Sequence, residues 1–177
     1  MVSGNFRSAH PALVLLSGYP GSGKTTFAHA LAAAMPLDHL ESDAVRRSLF
    51  PNPAYTAAES ARVFAVIEQR AAASLRAGRV AVIDATNLAR GDRRRFERLA
   101  ADCDAPFIGV RVTAPAEEIR RRLGAPREGH SEAGITVYEA MLGRARPFAT
   151  PVVVADSRHS PAPAIALVQA LMQQYWK

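Results

Sequence analysis

One short segment constrains this chain more than any other feature. Residues Gly18–Thr25 read GYPGSGKT, which fits the pattern G-x-x-x-x-G-K-[ST] at every fixed position. A largely apolar run, Ala12–Ser17, precedes the segment, and apolar residues at helical spacing follow it in Lys24–Met35. Glycines let backbone N–H groups turn toward an anion, and the helix start adds the positive end of its dipole. The segment predicts a phosphate-binding loop. The competing interpretation is a glycine-rich turn with an accidental lysine.

The pattern also assigns roles within the loop. We expect Lys24 to reach the β- and γ-phosphates of a nucleoside triphosphate and the Thr25 hydroxyl to hold Mg²⁺. The candidate nucleotide-binding residues are Gly18, Tyr19, Pro20, Gly21, Ser22, Gly23, Lys24, Thr25 and Thr26.

Apolar runs that read as strands alternate with helical patterns along the chain. We expect strands at 12–17, 37–41, 79–84, 106–113 and 151–155. Helices are expected at 24–35, 43–50, 90–101, 115–123, 135–146 and 164–175, with a long one between the capping box at Thr56 and Gly78. Such alternation predicts an α/β fold with a parallel sheet covered by helices on both faces. The ligand of such a fold sits at the carboxyl ends of the strands.

Carboxylates follow two of these strands. Asp84 ends the run Val80–Asp84 and is a candidate to orient Mg²⁺ beside Thr25, or else it caps a helix. Thr86 and Asn87 continue the same rim, where they could contact substrate or cap the next helix.

Asp43 follows the second strand and has two interpretations. It can be a general base that accepts the proton of an attacking hydroxyl, or an N-cap for the helix at 43–50. Arg46 lies three residues on, so it can face the same side as Asp43.

Arginine dominates the charge of the chain. There are 22 Lys and Arg against 16 Asp and Glu, and Lys24 and Lys177 are the only lysines. This bias favours a polyanionic ligand, although codon bias explains it equally well. A glycine-containing loop is flanked by four arginines, Arg120, Arg121, Arg122 and Arg127. The segment near 120–134 is therefore a candidate lid, in which Arg122 and Arg127 stabilise the phosphoryl group during its transfer. The alternative is that these arginines lie on a solvent-exposed helix end.

A second group of arginines falls on one predicted helix. Arg90, Arg93, Arg94 and Arg98 share roughly one face, which either tracks a nucleic-acid backbone or is simply solvated.

The length and the cysteine content of the chain limit the number of domains and the kinds of site it can form. With 177 residues we expect a single domain over 12–177 after a loose leader at 1–11. The chain shows no apolar run of membrane-spanning length, no Cys-x-x-Cys and one cysteine, Cys103. We therefore expect a cytoplasmic protein without a zinc site, a membrane partner or an obligatory protein partner.

The combination of motifs resembles the P-loop kinases of the polynucleotide kinase group. The likeness rests on Gly18–Thr25, on Ser42–Arg46 and on the segment Val82–Leu88 with its arginine-rich helix. The resemblance implies a three-layer P-loop NTPase fold of the nucleoside-kinase kind with five parallel strands. It also implies ATP as the nucleotide, Asp43 as general base, Arg46 as a ligand of phosphate or substrate, and lid arginines near 122–127. Ala44 and Ala85 stand where the phage-type kinase has aspartates.

The expected activity is therefore ATP- and Mg²⁺-dependent phosphoryl transfer to a hydroxyl, with a nucleic-acid 5′ end or a small molecule as acceptor. A sugar, nucleoside or antibiotic kinase is the alternative within enzymes. An ATP-binding switch or ATPase without an acceptor is the alternative of another class.

Overall fold

Five parallel strands form one sheet in this computed structural model, which describes residues 10–125 and 134–177. The strands are β1 (Ala12–Ser17), β2 (Asp38–Glu41), β3 (Val80–Asp84), β4 (Phe107–Thr113) and β5 (Val152–Asp156). Their order across the sheet is β2-β3-β1-β4-β5, and every pairing is parallel. The sheet expected from the alternating pattern is confirmed.

Seven helices connect and cover the strands within the described residues. They are α1 (Lys24–Ala34), α2 (Ser42–Leu49), α3 (Ala57–Arg76), α4 (Arg90–Asp102), α5 (Ala116–Gly124), α6 (Ile135–Met141) and α7 (Ala162–Tyr175). The Thr56 hydroxyl accepts a hydrogen bond from Glu59 N at 3.1 Å, as the capping box predicts for the start of α3.

Two apolar clusters sandwich the central strand. Alternate residues of β1 point to opposite faces, so Val14 and Leu16 pack with α1 and α7, whereas Leu13 and Leu15 pack with α3 and α4. All of β1 and β3 is buried, which explains why both strands read as continuous apolar runs rather than as alternating patterns.

One helix is shorter than its sequence pattern suggests. We expected a helix over 135–146, but α6 ends at Met141. Gly143 adopts φ 77, a left-handed conformation that commonly follows a helix C-terminus and that glycine takes without steric cost. The expected boundary was wrong because this glycine stop lies inside the apolar pattern.

The strand order brings the candidate site residues together at the carboxyl ends of the strands. The loop after β1, the start of α2 after β2, and the residues after β3 all lie at the carboxyl ends of neighbouring strands. Within the described ranges, none of the helices has the length and apolar character required to cross a bilayer.

Candidate functional site

The loop between β1 and α1 has the backbone that a phosphate cradle needs. Gly21 and Gly23 adopt φ 76 and φ 100, which L side chains rarely tolerate. A Cβ at Gly18 would lie 2.4 Å from the Val112 carbonyl oxygen, so only glycine fits the exit from β1. Gly18 N donates to Thr86 O at 3.0 Å and ties the loop to the end of β3. The glycines of the motif are therefore required by the local backbone.

Lys24 folds back over this loop. Its Nζ donates to the carbonyl oxygens of Gly18 and Tyr19, each at 3.1 Å. Burial lowers the pKa of the Lys24 ammonium, while the nearby carboxylates of Asp84, Asp43 and Glu41 oppose the shift. The partners of the ammonium are neutral oxygens, and a phosphate oxygen would be a stronger partner because the bond would join two charged groups.

A cleft of about 860 Å³ opens beside the loop. Residues from four strand ends and from α5 line it, and the structure brings together nearly all of the predicted side chains: Lys24, Thr25, Thr26, Asp43, Arg46, Asp84 and Arg122. Three loop residues lie elsewhere. Gly18 and Ser22 sit in close contact behind the loop, and Tyr19 packs edge-on against Tyr138 with ring centroids 5.5 Å apart.

Asp43 faces the cleft instead of capping α2. Helix α2 begins one residue earlier, Glu41 occupies the N-cap position, and no side chain makes a capping hydrogen bond there. Burial raises the pKa of the Asp43 carboxyl, although Lys24 and Arg46 pull it the other way. A carboxylate with a raised pKa beside a cation is a suitable proton acceptor.

Arg46 lies on the same side of α2 as Asp43, as its spacing predicted. Its guanidinium donates to Ser60 Oγ at 3.1 Å and to Glu59 Oε2 at 3.4 Å, and it lies 4.8 Å from the centre of the Tyr55 ring. The Nε–H of Arg46 is buried without a hydrogen-bond partner among the described residues. A buried donor of this kind is costly unless a ligand satisfies it.

Arg122 approaches the phosphate loop from α5. It donates to Ser157 Oγ at 2.7 Å and to Gly21 O at 3.3 Å, and Glu118 Oε1 accepts from its Nε at 2.7 Å. Arg121 shares Glu118 but points outward, with 71% of its side chain exposed. Hydrogen bonds from Arg121 and Arg122 lower the pKa of Glu118 to about 2. Arg127 and residues 126–133 of the expected lid lie outside the described residues, as do residues 1–9 of the expected leader.

Asp84 is buried at the end of β3, with 3% of its side chain exposed. One of its oxygens, Oδ2, lies 3.0 Å from His39 Nε2. Together with the Thr25 hydroxyl in the same cleft, the carboxylate offers the hard oxygen donors that suit Mg²⁺. The residues present therefore fit the expected ion, and phosphate oxygens and water would have to supply the remaining ligands.

Both interpretations of Asn87 were wrong, whereas Thr86 lines the cleft. Asn87 neither faces the cleft nor caps α4. It is buried, and its Nδ2 donates to Leu16 O at 2.8 Å, while Ser17 Oγ donates to Asn87 O at 3.1 Å. These bonds join the ends of β1 and β3, so Asn87 stabilises the edge of the sheet on which the phosphate loop is built.

Arg93 does not belong to a surface stripe. It is 2% exposed, and its guanidinium donates at 2.7 Å to both Leu88 O and Pro147 O, with Phe148 stacked 4.4 Å away. Burial lowers the pKa of Arg93. The exposed arginines of α4 are Arg90, Arg94, Arg95 and Arg98, and none of them lines the cleft.

Sequence reasoning missed two side chains at the site. His39 lies on β2 and Ser157 follows β5, and each contacts a predicted site residue. Ser157 directly follows a strand end, which is a signal that could have identified it. No local pattern distinguishes His39, because its contact depends on β2 pairing with β3.

The chain is similar to several longer proteins. An uncharacterized protein of Mycobacterium tuberculosis is 26% identical over 144 residues, which cover 75% of this chain and 29% of that protein. The bifunctional enzyme NodQ of a Rhizobium strain is 30% identical over 121 residues, covering 66% and 19%. The chain therefore spans less than a third of the length of these relatives.

Solved structures with the same fold include kinases. A sugar kinase from Janibacter has a TM-score of 0.67 at 24% identity, covering 90% of this chain and 93% of its own. Chaetomium thermophilum Kti12, solved with ADP-AlF3, has a TM-score of 0.70 at 20% identity, covering 90% and 98%. The Pnkp1/Rnl/Hen1 complex has a TM-score of 0.59 at 23% identity, covering 70% and 42%. These likenesses establish the α/β P-loop fold.

The family assignment rests on a match to a family model that covers more than half of the chain. Residues 13–150, from the second residue of β1 to the residues before β5, match the family model AAA_33, described as an AAA domain. That match includes the phosphate loop and the Asp43 and Asp84 strand ends, and this chain therefore belongs to the AAA domain family.

Proposed function

We propose that this protein is an ATP- and Mg²⁺-dependent phosphotransferase that moves the γ-phosphate of ATP to a hydroxyl acceptor. One observation carries the proposal. Asp43 and Lys24 line the same cleft, and the start of α2 leaves the Asp43 side chain free of a capping role. A phosphate site and a candidate general base within one cleft are the requirements for transfer to an alcohol.

The residues divide between phosphate binding and acceptor activation. The loop N–H groups, Lys24 and Arg122 bind the phosphates, and Thr25 and Asp84 hold Mg²⁺. When bound, the ion neutralises charge on the β- and γ-phosphate oxygens. Arg46 is assigned to the acceptor or its transferring group, because its buried Nε–H has no hydrogen-bond partner among the described residues.

The step itself exchanges one phosphorus–oxygen bond for another. The acceptor hydroxyl gives its proton to the Asp43 carboxylate, and its oxygen forms a bond to the γ-phosphorus. The bond from that phosphorus to the bridging oxygen breaks, and ADP leaves with the bonding pair. Positioning and charge stabilisation supply most of the acceleration, since the protein forms no covalent bond.

The acceptor we place first is the 5′-hydroxyl end of a nucleic acid. Asp43, Arg46 and the segment Val82–Leu88 support this choice through their resemblance to polynucleotide kinases. A small alcohol such as a sugar is the second candidate, supported by the fold shared with the Janibacter sugar kinase and by a cleft of about 860 Å³ that suits a nucleotide with a small partner.

The test is a transfer assay with ATP labelled on the γ-phosphate. Oligonucleotides with a 5′-hydroxyl are compared with sugars, nucleosides and aminoglycosides, each with the parent and with Asp43→Asn. We expect label on one acceptor class with the parent and strong loss in the variant. Labelled oligonucleotide whose formation falls steeply with salt supports the first candidate, whereas a labelled sugar supports the second. ATP hydrolysis that no acceptor stimulates would contradict the proposal and favour an ATPase.

A further inference from the structure

We infer that His39 is a positioning residue that fixes the orientation of the Asp84 carboxylate for Mg²⁺. The inference rests on the proposed function, because it takes Asp84 as the carboxylate on the metal side of the phosphate loop. His39 itself would not touch the ion or the nucleotide.

The contact joins two neighbouring strands on one face of the sheet. Strands β2 and β3 pair with Glu41 opposite Asp84 and His39 opposite Val82. Residues two apart on a strand point to the same face, so His39, Glu41 and Asp84 all project toward the α1 side. His39 can therefore reach diagonally to Asp84, and its Nε2 lies 3.0 Å from Oδ2.

The hydrogen bond selects which carboxylate oxygen is free. An ionised carboxylate only accepts, so Nε2–H of His39 is the donor. The bond to His39 uses Oδ2, so Oδ1 is the oxygen left for the ion, and Asp84 and Thr25 line the same cleft. The imidazole thus holds one oxygen and orients the other.

Orientation matters here because this site has few protein ligands. Within residues 10–125 and 134–177, no group of three His, Cys, Asp or Glu side chains could hold a metal by itself. A Mg²⁺ ion bound mainly by phosphates, water and one carboxylate depends on that carboxylate's geometry, since the ion demands near-octahedral ligands. Partners of a metal ligand typically contribute 10- to 100-fold in metal affinity.

A second histidine, His29, lies beside His39. The His29 ring packs edge-on against it with centroids 5.5 Å apart, and both rings line a smaller cleft that also includes Thr25. Among the described residues, His29 makes no hydrogen bond to Asp84, so His29→Met is a control that changes the surroundings of His39 but not the bond.

The test measures how strongly Mg²⁺ and nucleotide binding are coupled. Calorimetry gives the Kd of a non-hydrolysable ATP analogue with Mg²⁺ and with EDTA, for the parent, His39→Met, His39→Gln and His29→Met. We expect His39→Met to reduce the Mg²⁺-dependent gain in affinity by about 10-fold. The affinity in EDTA should stay unchanged. His39→Gln retains an N–H at similar reach and should restore the gain, and His29→Met should match the parent.

Several outcomes would overturn the inference. They are an unchanged gain in His39→Met, no rescue by His39→Gln, or an equal loss in His29→Met. If His39→Met does not fold, His39→Asn, whose amide is too short to reach Asp84, carries the same expectation. A parent that shows no Mg²⁺-dependent gain would refute the metal assignment in the proposed function as well, so the two failures are distinguishable.

Discussion

The Arg122 guanidinium donates to the Ser157 hydroxyl at 2.7 Å, and this bond joins α5 to the residues after β5. Between them lies the phosphate loop, whose Gly21 carbonyl oxygen accepts a further bond from Arg122 at 3.3 Å. The arginine is thus held beside the place where phosphate charge would accumulate.

Replacing Arg122 tests this arrangement against a neighbouring control. We expect Arg122→Ala to lower kcat/KM for ATP by about 10- to 100-fold, since a bond between charged groups contributes about 1.5–3 kcal/mol. Arg121→Ala, which removes an exposed arginine that shares Glu118, should change it less than about 2-fold because exposed ion pairs contribute little. Steady-state kinetics of both variants measure the two changes in kcat/KM. Equal effects would mean that Arg122 acts only through Glu118.

Lys24 should be required for nucleotide binding. We expect Lys24→Ala to weaken the affinity for ATP by about 10- to 100-fold, because the loop then loses the ammonium proposed to contact the phosphates. Calorimetric titration measures the affinity, and Lys177→Ala, which removes the only other lysine, is the control. Parental affinity in Lys24→Ala would contradict the phosphate-loop assignment.

Asp43 should be required for transfer and not for ATP binding. We expect Asp43→Asn to lower kcat by about 10²- to 10⁴-fold, the usual contribution of a general base. The amide preserves the shape of the side chain, so ATP affinity should stay close to that of the parent. Asp102→Asn, at an exposed position on α4, controls for loss of one negative charge. A single-turnover assay that gives near-parental rates for Asp43→Asn would remove Asp43 from the mechanism.

The dependence of kcat on pH in the acid range should report the protonation of the Asp43 carboxylate. Burial raises the pKa of Asp43, so the carboxylate becomes protonated at a higher pH than an ordinary aspartate does. As the pH falls through that raised pKa, kcat should fall, because a protonated carboxyl cannot accept the acceptor's proton. Rates measured across the acid range, with recovery checked at neutral pH, give the profile. The residual activity of Asp43→Asn should lack this limb, and its persistence would assign the limb to another group.

Arg93 should contribute to stability and not directly to chemistry. Removing its guanidinium breaks the hydrogen bonds from a charged donor to the carbonyl oxygens of Leu88 and Pro147, and a bond of this kind contributes about 1.5–3 kcal/mol. We expect Arg93→Met to lower the free energy of unfolding by about 3 kcal/mol and Tm by about 6–12 °C. Thermal and denaturant unfolding measure both quantities. Arg94→Met, one residue along and exposed, should be close to the parent, and similar losses in both variants would contradict the burial-based account.

Local sequence signals predicted most of the fold. The apolar runs of β1 and β3 are continuous because both faces of those strands are buried, and the phosphate loop is encoded in eight consecutive residues. Asp43 and Asp84 were predictable as cleft residues because a residue that follows a strand of a parallel sheet lies at the binding edge.

Contacts that depend on strand order or burial could not be predicted in the same way. The bond from His39 to Asp84 requires β2 to lie beside β3, which periodicity does not specify. Arg93 differs from Arg94 only in the face of α4 it occupies, so composition and spacing place both in one stripe. The carbonyl oxygens that accept from Arg93 come in part from residues 146–147, more than fifty positions away.

The environment of Lys24 makes its side-chain amine a target for chemical modification. A primary amine with a depressed pKa is uncharged more often at neutral pH, and uncharged amines react with acylating reagents. With one other lysine in the chain, at position 177, mild acylation followed by peptide mapping would distinguish Lys24, Lys177 and the terminal amine. The extent to which added ATP or GTP protects Lys24 from acylation would then compare how tightly the two nucleotides bind, without any knowledge of the acceptor.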